Sequence, residues 1–306
     1  MSDRRRHDQP AADFAELEAE PVAGREGSLY ADAWRQLRRR PIFIISGMLI
    51  LLLVLIAAWP GLFTRVDPRS CNLADSLLRP SSQHWFGTDV QGCDYYARTI
   101  WGARVSITIG VLVTAASTLI AVVLGSIAGY YGGIIDSLIA RLTDIWFAIP
   151  TILGGIVILR SIFTTRGLFE VSLVLIVLGW PTMLRLVRSA VMAAKEMDYV
   201  DAARSLGVRN FRIIRRHILP NAMAPVIVYA SITVGVIISA EAALSFLGVG
   251  LQLPAISWGL MISVAQNRIL TAPHLLLFPG AFLSVTVFSF ILMGDALRDA
   301  LDPRLR

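Results

Sequence analysis

The residues able to do chemistry in this chain are few. There is one lysine, Lys195, against 27 arginines, and there are only two cysteines and four histidines in 306 residues. No H-E-x-x-H pair could seat a zinc ion on one helix face, and no G-x-S-x-G turn could present a nucleophilic serine. No G-x-x-x-x-G-K-[ST] loop could cradle the phosphates of ATP. These gaps exclude the commonest hydrolytic and ATP-using sites and direct attention to one polar stretch, from Glu196 through Asp198-Tyr199-Val200-Asp201-Ala202-Ala203-Arg204-Ser205-Leu206-Gly207 to His217-Ile218-Leu219-Pro220-Asn221.

Within it, Tyr199, Ala202, Ala203 and Leu206 recur at i, i+3, i+4 and i+7, the spacing of one apolar helix face. Asp198 is placed to cap the helix, and Asp201 adds negative charge in the first turn, where the helix dipole favours it. Gly207 is placed to end the helix in the left-handed region. A helix of eight or nine residues is marginal alone in water, so it has to dock on something. Its face is small, with two alanines at the centre, which suits a close approach. Phe211, Ile214 and Ile218 then make an apolar stripe beside Arg209, Arg212, Arg215 and Arg216, and Pro220 suits the first turn of the helix that follows. The reading is a compact helix–Gly–helix hook.

The elements that must position this hook are membrane spans. The chain is 55% hydrophobic and 16% charged, with mean hydropathy +0.64, too apolar for a soluble domain of this length. A bilayer core of about 30 Å takes about 20 apolar residues in helical form. Six runs approach that length, at about 42–62, 105–128, 138–159, 171–191, 222–242 and 275–294. The stretch before the first run is too long for the charged front of a signal peptide and no small-x-small site follows, so the first run reads as an uncleaved span. With the N-terminus inside, the inner segments hold 20 basic residues and the outer ones 8, which favours N-in and C-in with the hook on the cytoplasmic side. The net charge of +6 is then membrane anchoring, and nucleic-acid binding is not expected. The fold class expected is all-α, a polytopic membrane bundle. A polar tail at 1–41 carries Arg4-Arg5-Arg6, Glu16, Glu18, Glu20 and the cluster Arg38-Arg39-Arg40; an extracytoplasmic loop covers 63–104; a core of five helices covers 105–294 with the hook at 196–220; a cytoplasmic tail covers 295–306.

Other polar groups have ordinary structural roles in view. Arg185 and Arg188 are expected to snorkel to the inner surface. Tyr130, Tyr131, Trp101 and Trp258 are expected in interfacial belts. Thr114, Ser117 and Thr118 are either pore-facing or helix-packing, and Glu241, near the outer edge of its span, is either functional or solvated or paired. The segment 243–273, broken by Gly248, Gly250, Pro254 and Gly259, reads as re-entrant or surface-lying and packed on protein. Cys71 and Cys93 share the outer loop, where thiols can oxidise; the sequence leaves open whether they pair or stay as two thiols.

The stretch Asp201-Ala202-Ala203, Gly207, His217, Leu219-Pro220 resembles the "EAA" loop of importer-type ABC permeases, with Asp201 in place of Glu and His217 in place of Ile. The run Arg216-His217-Ile218-Leu219-Pro220-Asn221 is similar to the oligopeptide/dipeptide branch. So are His84-Trp85-Phe86-Gly87-Thr88-Asp89 with Gly92 and Asp94, Gly129-Tyr130-Tyr131-Gly132-Gly133 with Asp136, Ser245-Phe246-Leu247-Gly248, and Gly294-Asp295-Ala296-Leu297-Arg298-Asp299-Ala300-Leu301-Asp302-Pro303, in the branch's C-type subunit. The likeness spans about residues 30–306. Glu241-Ala242-Ala243 spells the same letters but falls at the outer end of a span, out of an ATPase's reach.

That resemblance implies a type I ABC importer permease of the bacterial inner membrane that is not itself an enzyme and holds no cofactor or metal. ATP and Mg would be bound by two ATP-binding subunits, or one fused ATPase, docked through Asp198, Tyr199, Asp201, Ala202, Ala203, Arg204, Leu206, Gly207, His217 and Pro220. It implies a homologous second permease completing a heterodimeric pore, an extracytoplasmic substrate-binding protein meeting the 63–104 loop and the 243–273 segment, and contact with membrane lipid. The substrate class implied is di- and oligopeptides, with nickel or another small solute as the alternative within the same branch. The substrate-binding residues are unknown. A secondary transporter is the more distant alternative; it should show paired midplane charges or two related halves with broken helices, and neither is evident in the sequence.

Overall fold

The structure is a computed structural model that describes residues 35 and 37–301. The expectations for Arg4–Arg6, Glu16, Glu18, Glu20 and Asp302-Pro303 lie outside the described residues. Among the described residues the chain is helical, and its extended pairing is limited to two isolated bridges in the outer loop. Five helices are long and apolar enough to cross a bilayer: α1 (Pro41–Ala58), α2 (Tyr95–Tyr131), α5 (Leu168–Lys195), α8 (Leu219–Phe246) and α10 (His274–Leu301). A sixth crossing is a bent pair, α3 (Gly133–Phe147) and α4 (Thr151–Ser161), whose axes turn by 82°. Two short helices, α6 (Asp198–Ser205) and α7 (Asn210–Ile213), carry the hook, and α9 (Trp258–Ala265) lies between α8 and α10.

The third span, expected over about 138–159, is therefore two helices and not one. The turn falls at Ala148-Ile149-Pro150, because Pro150 has no N–H for the helical ladder and disfavours helical geometry at Ile149. The second span begins ten residues early. Asp94 caps it, accepting from the Ala97 amide at 2.8 Å, so Tyr95–Arg104 belong to α2 and not to the outer loop. At about 1.5 Å per residue, its 37 residues reach well past the hydrocarbon on the outer side.

α1 is apolar on every side and leaves Ile42, Ile45, Met48, Leu51 and Leu52 exposed, a lipid-facing surface. It packs on α2 and α10. Arg40, just before it, meets Asp299 near the end of α10 at 2.6 Å, which brings the two ends of the described chain to the same side. α2 and α5 pack closely. A side chain at Gly125 would lie 3.0 Å from Val187 Cβ, and one at Gly129 would lie 2.9 Å from the Arg188 carbonyl oxygen, so only glycine permits this approach. Ser117 sits in the same seam opposite Gly179, and with buried Thr114 it is a packing contact.

The arginines at the inner end of α5 do not simply snorkel. Arg188 forms a two-point ion pair with Asp136 of α3. Arg185 meets Asp144 at 2.7 Å and lies over the Phe147 ring at 4.0 Å. Trp146 Nε1 donates to the Val177 carbonyl at 2.5 Å. These four contacts fix the bent pair against α5.

The outer end is capped by the chain itself. Residues 247–257 turn back over α8 and lead into α9. Trp258 is fully buried, with Nε1 donating to the Thr99 carbonyl at 2.9 Å and its amide donating to Ser106 Oγ at 3.1 Å, which removes it from any interfacial belt. Trp101 is half-buried under the Arg104 guanidinium at 5.3 Å. Glu241 is fully buried and holds the cap. Its Oε1 accepts from Ser245 Oγ at 2.8 Å and Ser257 Oγ at 3.0 Å. Ser245 Oγ accepts from the Leu251 amide, and Ser257 Oγ from the Leu260 amide at the start of α9. One carboxyl thus orients two hydroxyls, one satisfying an amide of the returning segment and the other capping α9.

Glu241→Ala is expected to cost about 2–3 kcal/mol, the range for hydrogen bonds to a buried charged or strongly polar group, and Glu241→Gln much less, because the amide keeps an acceptor oxygen. Thermal unfolding in one detergent checks the order; equal losses for both variants would contradict it. Gly259→Ala should destabilise as well, since its Cβ would lie 2.5 Å from Ala242 Cα.

Candidate functional site

α6 runs from Asp198 to Ser205 with Met197 as its N-cap, so Asp198 is the first helical residue and not the cap expected. Asp198 and Asp201 still place negative charge in the first turn. Asp201 pairs with Arg204 one turn on, at 3.0 Å. The helix ends as its sequence demands. Gly207 has φ +73°, its amide donates to the Arg204 carbonyl at 2.9 Å, and the next amide, Val208, donates to the Ala203 carbonyl at 3.1 Å.

The expected apolar face divides in two. Ala203 turns inward and is buried with Val200 against Ile213, Ile218 and the inner end of α5. Tyr199, Ala202 and Leu206 face away from the chain, with Leu206 83% exposed and Tyr199 40%. At 100° per residue, Tyr199, Ala202 and Leu206 fall within about 60° of one another, while Val200 and Ala203 lie to one side. Val200 is the signal the sequence reading passed over: a β-branched residue three before Ala203 marks a second, inward stripe. Ala203 belongs to the packing of the hook, and the free surface is Tyr199–Ala202–Leu206.

The hook is tied to the spans at several points. Tyr130, at the inner end of α2, is buried and not in an interfacial belt; its hydroxyl donates to Asn210 Oδ1 at 2.9 Å. The Arg204 guanidinium lies 5.7 Å from the same ring. Tyr131 beside it is exposed. After α7 the chain runs through a π turn, Ile214–Ile218, straight into α8, so 210–246 is one continuous rod. Pro220 accounts for the turn. It brings no N–H and its ring crowds the carbonyl four residues back, and one extra residue in the turn relieves that clash. His217 is half-buried, and its carbonyl accepts from Asn221 Nδ2 at 2.7 Å. A push on α6 therefore reaches α8 through the rod and α2 through Tyr130.

At the outer face, Cys71 and Cys93 are joined by a disulfide. Asp89 organises the loop around it, accepting from the amides of Gln91 at 2.8 Å and Cys93 at 3.0 Å and pairing with Arg98. His84 meets Asp94 at 2.9 Å, and Phe86 stacks on Phe278 of α10 with ring centroids 3.8 Å apart. The loop is thus fastened to both α2 and α10.

The fold is a multi-span helical bundle with a capped amphipathic hook on its arginine-rich side, the architecture of a polytopic membrane protein. Residues 121–306 match the family of binding-protein-dependent transport system inner membrane components, and residues 28–80 match the N-terminal transmembrane domain of oligopeptide transport permease C. The chain is 40% identical to the oligopeptide transport system permease protein OppC of Bacillus subtilis over 97% of both chains, and 41% identical to the dipeptide transport system permease protein DppC of the same organism over 94% of this chain and 90% of that one. It is 36% identical to the glutathione transport system permease protein GsiD of Pectobacterium atrosepticum, over 90% and 92%. In fold it is similar to a chain of the inward-facing MetNI methionine ABC transporter, with TM-score 0.55 and 20% identity over 67% of this chain and 96% of that one. The chain belongs to the family of binding-protein-dependent transport system inner membrane components, and is an ABC importer permease of the bacterial inner membrane.

Tyr130→Phe and Asn210→Ala should each cost about 1 kcal/mol, the usual net value of one hydrogen bond, and the double variant should lose little more than either alone. Full additivity in thermal unfolding would show that the two do not act together. Alkylation of unreduced, denatured protein should label neither cysteine, and labelling after reduction should reach both; two reactive thiols without reduction would contradict the bridge.

Proposed function

We propose that this chain is one of two pore-forming permeases of an importer for di- and oligopeptides, and that ATP-binding subunits drive it through the outward face of α6. The observation that carries the coupling half is the pattern of burial on that helix. Leu206 and Tyr199 flank Ala202 on an apolar surface that nothing in the described chain covers, while Val200 and Ala203 hold the helix down from behind. A small apolar face on a rigidly backed helix suits a groove on another protein, and the alanine lets the backbones approach closely. Two ATP-binding subunits, or one fused ATPase, fit this surface, and hold the ATP and Mg that this chain has no loop to bind. The substrate half rests on full-length similarity to permeases named for oligopeptide, dipeptide and glutathione transport, the last itself a tripeptide. The outer loop and the returning segment, both fixed by buried polar contacts, are the surfaces offered to the extracytoplasmic binding protein, and a homologous permease completes the pore.

Affinity purification of the tagged chain from its native membrane in mild detergent tests this. A second permease and ATP-binding subunits should accompany it. In the Ala202→Arg, Leu206→Arg variant the ATP-binding subunits should fall by at least about tenfold, as expected for charge forced into an apolar contact, while the second permease stays. Wild-type recovery of the ATP-binding subunits with that variant would refute docking at this face.

A further inference from the structure

Four arginines, Arg209, Arg212, Arg215 and Arg216, fall within eight residues, and no acidic residue occurs between Asp201 and Glu241. Three of them, Arg212, Arg215 and Arg216, line one open cavity of about 580 Å³ together with Phe211 and Pro220. The cavity lies on the side of the rod opposite Ile213 and Ile218, which are buried in the core. None of the three guanidiniums has a carboxylate partner among the described residues. Arg40, Arg141, Arg185, Arg188 and Arg204, on the same side of the protein, each have one. Those five are ion-paired within the described chain, and Arg212, Arg215 and Arg216 are not.

Its position says what would neutralise it. The rod continues unbroken from these residues into the span, so the guanidiniums stand one to two turns below the apolar part of α8. Headgroup layers add about 5–8 Å on each side of the hydrocarbon, a depth that arginine side chains reach from there. Beside them Phe211 is 72% exposed, an apolar ring next to three cations. Phosphate with an attached acyl region satisfies both features at once, whereas free phosphate would leave the ring in water. The docking face of α6 carries no such cluster, so the two surfaces differ in chemistry as well as place.

We propose that Arg212, Arg215 and Arg216, with Phe211, form a binding site for the headgroup of an anionic phospholipid of the inner leaflet. The bound phosphate bridges the arginines across the π turn and anchors the rod at a set depth, so that displacement of α6 turns the span about a fixed point.

The test uses the chain co-purified with its second permease and ATP-binding subunits, in nanodiscs of phosphatidylcholine titrated with phosphatidylglycerol, and counts retained lipid and subunits by native mass spectrometry. Wild type should keep phosphatidylglycerol in preference to phosphatidylcholine. Neutralising one arginine, as in Arg215→Gln, should weaken retention about fivefold, and all three about a hundredfold, at about 1 kcal/mol per basic residue near a membrane surface. The triple Arg→Lys variant should recover most of it, which separates charge recognition from misfolding. Phe211→Ser should weaken lipid retention but leave any effect of inorganic phosphate unchanged. Equal retention by wild type and the single glutamine variants would overturn the proposal. So would loss of ATP-binding subunits from those variants in pure phosphatidylcholine, which would make the cluster a protein-docking surface instead.

Discussion

The close approach of α2 and α5 sets where everything on the inner side lies. Two glycines one turn apart, Gly125 and Gly129, let the backbone of α2 rest against Val187 and the Arg188 carbonyl. A methyl group at Gly129 would push the helices apart. Because they touch, Tyr130 emerges beside the hook and reaches Asn210, and Arg188 emerges where Asp136 of the bent pair can meet it. The core beneath the hook, from Val191 through Val200 and Ala203 to Ile213 and Ile218, is then closed on all sides by the chain. A short helix that would be marginal alone becomes a stiff surface.

The outer end obeys the opposite rule. There the chain places irregular backbone at or near membrane depth, where every unsatisfied amide is costly. The amides of residues 248–252 are satisfied from within the protein, by the carbonyls of Leu244, Ser245 and Arg166 and by Ser245 Oγ, which Glu241 orients. Trp258 adds a buried ring whose N–H finds the Thr99 carbonyl. The disulfide loop is held by Asp89 in the same manner, with one carboxylate serving two amides and a guanidinium. The two ends therefore differ in kind, with a close-packed core and ion pairs on the inner side and polar hubs on the outer.

Much of this was legible in the residues themselves. The long charge-free runs marked the spans, the excess of arginine marked the inner side, and Gly207 marked the end of the short helix. What escaped were features decided by contacts distant in sequence. Pro150 could be read as a breaker, yet the bend it makes depends on Trp146, Asp136 and Asp144 finding partners on α5. Tyr130 and Trp258 carry the composition of interfacial belts, and only the fold shows their polar atoms aimed at Asn210 and Thr99. Arg185 and Arg188 looked like snorkelling cations because their carboxylates lie about 40 to 50 positions away. Spacing alone places Ala203 on the docking face. The angle between it and Leu206 is small enough that Val200, not the spacing, decides which way each one turns.

Coupling through the hook depends on which face of α6 a partner touches. The most direct measurement places a photo-crosslinking amino acid at Leu206 and, separately, at Val200, in the full chain in its native membrane. Irradiation should join Leu206 to an ATP-binding subunit and should leave position 200 reacting only within the chain. Crosslinking to that subunit from position 200 but not from 206, or from neither in an assembled complex, would contradict the account.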